Sequence, residues 1–165
     1  MRHRSPMATE RSQTGEMPAL NLPPAELRLR QTRGRTEVFD ALRGQYVRLT
    51  PEEWVRQNFV SFLIHHKGYP AGLLANEISL QLNGTARRCD SVLFGRDSQP
   101  RMIIEYKAPH IPLSQKVFDQ VARYNIVLRT PWLLLSNGLN HVCCHLDLQA
   151  QTYAFLNEIP AYNSL

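Results

Sequence analysis

Cysteine is scarce in this chain, with three residues in 165 and two of them adjacent. Three thiols cannot build a disulfide framework, so the usage fits a reducing compartment, and a cytoplasmic location is expected. Long apolar runs are missing too. The richest, Val60-Ser61-Phe62-Leu63-Ile64, sits among polar neighbours and falls far short of the ~20 residues of a membrane span. Met1 to Gly15 carries arginines but lacks the apolar core of a secretory signal. No membrane partner is expected. Lysine is the third scarcity, supplying three of the 19 cations against 16 arginines. Arginine's planar fork suits phosphate oxygens better than lysine's point charge does. The surplus of 19 basic over 14 acidic side chains, a net +5, leans toward a polyanionic partner, nucleic acid first. A solvated basic surface accounts for the charge alone equally well.

What is present suffices for one domain. A chain of 165 residues, 43% of them apolar, buries roughly 70% of its unfolded surface without a covalent or metal staple. Residues 1 to 20 read as a disordered tail, polar and aperiodic, with Met17 as an alternative start; residues 21 to 162 read as a single domain. Leu27-Arg28-Leu29-Arg30 alternates like a short strand, Arg33-Gly34 turns, and Glu37 to Asp40 is its hairpin partner. Thr50 is an N-cap, Pro51 fits the first helical position and Glu53 completes a capping box. Val55, Phe59, Phe62 and Leu63 form the buried stripe of that helix, which Gly68 and Pro70 end. His65 and His66 in its last turn suit the negative end of the helix dipole.

Three strands follow. Ile78, Leu80 and Leu82 alternate with Glu77, Ser79 and Gln81, and Asn83-Gly84 is a hairpin turn. Arg88 to Phe94 and Arg101 to Lys107 are the next two. Ser114 caps a second helix running to about Leu128, with Val117, Val121 and Leu128 facing inward. Trp132 to Leu135 reads as a strand buried on both faces, followed by His141 to Leu146 and an edge strand at Thr152 to Leu156. The order α-β-β-β-α-β plus a trailing hairpin predicts an α/β (α+β) fold, a mixed sheet flanked by helices.

Charged residues inside these apolar strands are the anomaly. Asp90 precedes Ser91-Val92-Leu93-Phe94 although Asp is among the poorest strand formers. Glu105 and Lys107 share one face of their strand, roughly 7 Å apart. A hairpin of the second and third strands brings Asp90 level with Glu105. Two carboxylates and an ammonium then converge. Mg²⁺ binds through one or two carboxylates while keeping water and taking phosphate oxygens, and a lysine beside it offsets charge at phosphorus. A salt-bridged exposed hairpin explains the same spacing.

Asp90, fourteen intervening residues and then Glu105-Tyr106-Lys107 resemble the Asp…Glu-x-Lys signature of the PD-(D/E)xK nuclease superfamily. The element order resembles that superfamily's restriction-endonuclease-like core. The run from Leu22-Pro23-Pro24 through Thr50-Pro51-Glu52-Glu53-Trp54-Val55-Arg56-Gln57 to Glu105-Tyr106-Lys107-Ala108-Pro109 is similar to the N-terminal domain of type I restriction enzyme R subunits, small stand-alone members above all. Phe118 to Asn125 and Ser136-Asn137-Gly138 extend the likeness, which covers about residue 20 to Tyr162. The resemblance implies a Mg²⁺-dependent DNA endonuclease, with Mn²⁺ as a substitute metal. It implies that Asp90 and Glu105 hold the metal, that Glu77 is a further ligand, and that Lys107 serves the nucleophile. Gln120 and Tyr124 match the Gln-x-x-x-Tyr of the second helix in related nucleases; at i, i+4 they share one helix face. Cys89 stands where the motif's name has proline, which bears on the strand bend more than on the chemistry.

Arg87 and Arg88 before Asp90, with Lys116 and Arg123 on the second helix, are candidates for neutralising flanking phosphates. His141-Val142-Cys143-Cys144-His145 offers half a zinc site; without a second ligand pair, buried strand cysteines with surface histidines are expected. The chain has no Gly-x-x-x-x-Gly-Lys-Ser/Thr phosphate loop, so it is not a whole motor-bearing R subunit. Cutting both strands of a duplex suits a homodimer, and separate motor or specificity subunits are the other partners expected. A non-catalytic nucleic-acid-binding or assembly module with the same fold is the alternative reading.

Overall fold

A computed structural model describes residues 17–82 and 84–165. The tail expectation for residues 1–16, and Asn83 of the hairpin turn, lie outside the described residues.

A small antiparallel sheet opens the structure: β1 (Leu29–Thr32), β2 (Arg35–Asp40) and β3 (Gln45–Arg48). The first two strands stand where the alternation of Leu27 to Arg30 and Glu37 to Asp40 puts a hairpin. β3 is additional. Its four residues offer too little alternation to read, and it forms because Asp40↔Gln45 pairing closes it onto β2. Arginines cover the aromatic faces of this sheet, Arg28 4.5 Å above Phe39 and Arg30 3.9 Å above Tyr46.

Helix α1 (Pro51–Lys67) starts as its sequence dictates, with Thr50 Oγ1 accepting from the Glu53 N–H at 3.0 Å and Pro51 in the first turn. The expected capping box forms only this half. Thr50 N–H donates to Arg48 O at 3.2 Å, and the Glu53 carboxylate turns instead to the Arg43, Arg56 and Gln57 side chains. Two of those donors are charged, and charge-assisted bonds outcompete a neutral backbone N–H. Gly68 ends the helix at φ +72°.

The main sheet runs β4 (Leu74–Leu82), β5 (Thr85–Phe94), β6 (Pro100–Tyr106), β7 (Trp132–Ser136), β8 (His141–Asp147) and β9 (Thr152–Leu156) in chain order. Neighbours are antiparallel except β6 and β7, which are parallel and joined through α2 (Gln115–Leu128). On one face Val55, Phe59 and Leu63 of α1 meet Leu93, Met102, Ile104, Tyr106 and Leu134. On the other, Val121 and Ala122 of α2 meet Val92, Ile103, Leu133 and Leu135. The mixed sheet between two helices is the expected α+β architecture.

Strict alternation fails at one level of this sheet. Leu74 of β4 joins the α1-side core, whereas Ile78 and Leu80 pack on the α2 side. On β5, Leu93 faces α1 while Val92 and Cys89, three residues apart, both lie on the α2 side. Both strands therefore exchange faces at the same height. Pairing passes from Asn76↔Ser91 to Ile78↔Cys89 and omits Glu77 and Asp90 between them, and Glu77 sits at φ +54°. A period-two count carried through this point misplaces everything beyond it.

Residues 17 to 21 lie along the domain: Pro18 O accepts from the Trp54 indole at 2.9 Å, and Asn21 N–H donates to Gly138 O at 2.8 Å. Gly138 is held at φ +84°, where an added Cβ meets Leu20 Cδ2 at 2.7 Å and Val55 Cγ2 at 3.2 Å. Gly138→Ala should cost about 1–3 kcal/mol through strained backbone and overpacking, seen as a lower urea midpoint at unchanged slope.

Candidate active site

The β5–β6 ladder runs from Phe94↔Pro100, through a register shift before Leu93↔Met102, to Ser91↔Ile104 and stops. One step further, Asp90 stands level with Glu105, but the backbones have parted: the Tyr106 N–H donates to Asp90 Oδ2 at 2.9 Å in place of a strand carbonyl. The opening brings the two carboxyl groups within reach of one another. Glu105 is 7% exposed. Burial first, and then the charge and hydrogen bonding of Asp90, push its carboxyl up to about 9 against the pull of Arg87 and Lys107.

Arg87 Nη2 donates to Glu105 Oε1 at 3.0 Å, and the same guanidinium lies 4.1 Å above the Tyr124 ring. That contact brings the middle of α2 to the site. Lys107 is the first residue beyond β6; its N–H donates to Ser136 O at 2.9 Å, and its ammonium acts on both Glu105 and Glu52. Ser136 is itself braced: its Oγ accepts from the Gly138 N–H at 2.9 Å and lies 2.7 Å from His141 Nδ1. His141 Nε2 lies 3.1 Å from Asn21 O. A carbonyl can only accept, so Nε2 carries the proton and Nδ1 accepts from the serine hydroxyl. Burial holds this histidine's pKa below its ordinary value, in keeping with a neutral ring.

Glu77 occupies the face-exchange point opposite Asp90, bound by Arg56 Nη2 at 2.6 Å and Arg88 Nε at 2.5 Å. Burial raises its pKa, but the two guanidinium groups outweigh that and keep it below the usual carboxylate range. Asp90, Glu105, Lys107, Arg87 and Tyr124 thus share one neighbourhood, with Glu77 and Arg88 at its edge. Lys116, Gln120 and Arg123 are exposed along α2.

Two participants escaped the sequence reading. Glu52, in the first turn of α1, has its pKa raised by burial and then by the charge of Asp90. Arg56, one turn on, is 4% exposed and donates to Asp90 O at 2.9 Å. An acid in a first helical turn is ordinary dipole chemistry, which hides Glu52. The visible signal for Arg56 was a cation beside the apolar Val55–Phe59 stripe.

The His141–His145 run separates rather than converging. Cys143 enters the α1-side core and Cys144 the α2-side core, where burial pushes their thiols up to about 11 and about 12. His145 packs at a tilt against Trp132, ring centroids 4.5 Å apart. Among the described residues no three His, Cys, Asp or Glu side chains form a group that could hold a metal ion. Two hard carboxylate oxygens, the remaining positions left to water and phosphate, nevertheless match what Mg²⁺ asks of a protein. The proximity of Asp90 and Glu105 makes ionising both costly, which adds to burial in pushing the Glu105 carboxyl up.

Because folding raises the Glu105 pKa, the carboxyl stabilises the fold below its ordinary titration near pH 4.5 and loses that contribution as pH climbs toward about 9. Glu105→Gln should therefore melt at a higher temperature than the metal-free parent at pH 8.5, roughly 2–4 °C for each kcal/mol relieved. At pH 5 the two should converge. Scanning calorimetry at both pH values checks it; a gap that widens toward acid contradicts the assignment.

No curated protein matches the chain. Among solved structures it is similar to a fragment described as a putative HsdR subunit of a type I restriction enzyme from Vibrio vulnificus YJ016. Identity there is 20% at a TM-score of 0.49, covering 68% of this chain and 24% of that one. It is also similar to a chain of the DrdV–DNA complex, at 16% identity and a TM-score of 0.44, covering 70% of this chain and 11% of that one. The chain thus spans about a quarter or less of either structure. The family model described as type I restriction enzyme R protein N terminus matches residues 51–160, from α1 through the last strand. The chain belongs to the family of type I restriction enzyme R-protein N termini.

Proposed function

We propose that this protein is a metal-dependent nuclease hydrolysing phosphodiester bonds of DNA. The observation that carries the reading is the parted β5–β6 ladder, which sets the Asp90 and Glu105 carboxylates side by side with Lys107 at their margin. Asp90 and Glu105 would hold Mg²⁺, or Mn²⁺ in its place, with Glu77 as a further acid within the same field. The bound ion supplies Lewis acidity at phosphorus and lowers the pKa of water.

The remaining tasks fall to this chain's own side chains. Glu105, whose carboxyl is pushed up to about 9, would hold the cation in its ionised form. Lys107 places a positive charge beside the attacked phosphorus and its incoming water. Tyr124, with the Arg87 guanidinium 4.1 Å from its ring centroid, and Gln120 one turn earlier present a phenol and an amide along α2 for orienting the scissile phosphate. Arg87, Arg88, Lys116 and Arg123 are the cations for neighbouring phosphates, giving sequence-independent and salt-dependent affinity. Duplex cleavage would engage a second copy or separate motor and specificity subunits. Residues 21 to 162 serve as one domain in this reading. Three free, buried cysteines among the described residues favour a cytoplasmic setting, and no described helix is long and apolar enough to cross a membrane.

One observation favours a non-catalytic nucleic-acid-binding or assembly module instead: Glu77 is already neutralised by Arg56 and Arg88. The two readings part on turnover. Purified protein with Mg²⁺ or Mn²⁺ should nick or linearise plasmid. Glu105→Ala and Lys107→Ala should each lower that rate at least ~10²-fold, the usual scale for losing one such transition-state contact. Equal cleavage by parent and variants would expose a contaminant. Salt-dependent DNA binding without calorimetric uptake of Mn²⁺ would establish the binding module.

A further inference from the structure

The turn between β2 and β3 is remote in sequence from Asp90 and lies outside the residues that the family model matches. It nevertheless reaches the site by two buried arms. In the first, Asp40 Oδ2 accepts from Asn76 Nδ2 at 2.9 Å, and Asn76 Oδ1 accepts from the Ser91 hydroxyl at 2.6 Å. Ser91 Oγ in turn accepts from the Tyr106 hydroxyl at 2.9 Å. In the second, Arg43 binds Asp40 at 2.5 Å and also the Glu53 carboxylate. Glu53 accepts from Arg56 Nε at 2.8 Å, and Arg56 Nη1 donates to Asp90 O at 2.9 Å. One arm ends on the side chain of Tyr106 and the other on the backbone of Asp90. Between those two ends lies the Tyr106 N–H bond to the Asp90 carboxylate.

We infer that the Asp40–Arg43 turn is a positioning element for Asp90, with Arg43 and Arg56 as positioning residues that set the carboxylate's direction by gripping both partners of that bond. The inference rests on the reading of Asp90 as a functional carboxylate. Its physical ground is over-determination. Asp40, Glu53 and Arg56 have side chains 1%, 7% and 5% exposed, so none of these charges has water to fall back on when a partner leaves. Hydrogen bonds linked in series in a poorly polarisable interior also strengthen one another, so displacement at one end is felt at the other. Arginine suits both relay positions because its fork serves two or three acceptors in fixed directions; an ammonium does not.

The Tyr106 amide reports the Asp90 contact directly, whether or not any DNA is cut. Native-state hydrogen exchange on the full chain, followed by NMR, would compare it with the amide of Leu134 in the neighbouring strand. Arg43→Lys keeps the charge and breaks the fork. It should speed exchange at Tyr106 at least tenfold relative to Leu134, with Leu134 itself little changed. Tyr106→Phe removes one hydroxyl from the other arm while the ring stays in the core, and should speed the residue 106 amide severalfold. Unchanged exchange at residue 106 in both variants overturns the inference, as does equal acceleration at residues 106 and 134, the mark of a merely structural role. Should Arg43→Lys not fold, Tyr106→Phe decides alone. Calorimetry with Mn²⁺ on the parent separates the two readings: a parent that neither takes up Mn²⁺ nor cuts plasmid removes the nuclease reading, while the amide result still judges the positioning.

Discussion

A guanidinium without water organises this molecule. Arg56 lies under α1 against the sheet, and a cation in that position costs several kcal/mol unless its donors are met. Glu53, one helical turn earlier, takes Nε; Glu77 on β4 takes one terminal nitrogen and the carbonyl of Asp90 on β5 takes the other. Burial alone would draw the Arg56 pKa down, but the acidic partners hold it above its ordinary value, so the charge persists. Three acceptors from three elements fix the height and rotation of α1 over the β4–β5 hairpin. Shift the helix by a turn and a buried charge is stranded.

The same cation accounts for the local break in the sheet. Glu77 is a non-glycine residue at positive φ, a conformation that costs of order 1–3 kcal/mol when the surroundings enforce it. Arg56 and Arg88 hold its carboxylate from two directions and offset that cost. Around this point β4 and β5 exchange faces, so Leu74 and Leu93 feed the α1 core while Ile78, Leu80 and Cys89 feed the α2 core. The exchange also leaves Asp90 outside the regular ladder, free to take the Tyr106 N–H with its side chain. The irregularity in packing and the candidate site are one feature.

Elements governed by neighbours in sequence were legible from the chain alone. Thr50 and Ser114 start their helices by capping geometry that three residues encode, and the β5, β6 and β7 runs are apolar enough to declare themselves. Asp90 comes level with Glu105 one step beyond the Ser91↔Ile104 pair, where the ladder itself has ended. What period-two counting cannot see is a slip in its own phase, because both Ile78 and Cys89 look correct on either side of it. Nor does Glu53 show where its carboxylate goes. A Thr-x-x-Glu spacing spells a capping box until Arg43 and Arg56, thirteen residues apart and unrelated by any repeat, both claim the oxygens. β3 escaped for the same reason: four residues with little pattern, stabilised by partners elsewhere.

Arginine's dominance over lysine takes a different meaning once these contacts are known. As composition it pointed outward, to phosphate. Arg43, Arg56 and Arg87 in fact point inward, each holding a carboxylate or two in places where a single-point ammonium would leave an acceptor unmet. These three arginines are therefore committed to the protein's own buried acids, while cations such as Lys116 and Arg123 lie exposed along α2. Around Asp90 and Glu105 the balance still fails. Arg87 and Lys107 pull the Glu105 carboxyl down, yet burial and its acidic neighbour keep it raised. Glu53 and Glu77 are each met by two guanidinium groups, whereas the Asp90–Glu105 pair has the Arg87 contact to Glu105, and that imbalance is what the proposed metal would relieve.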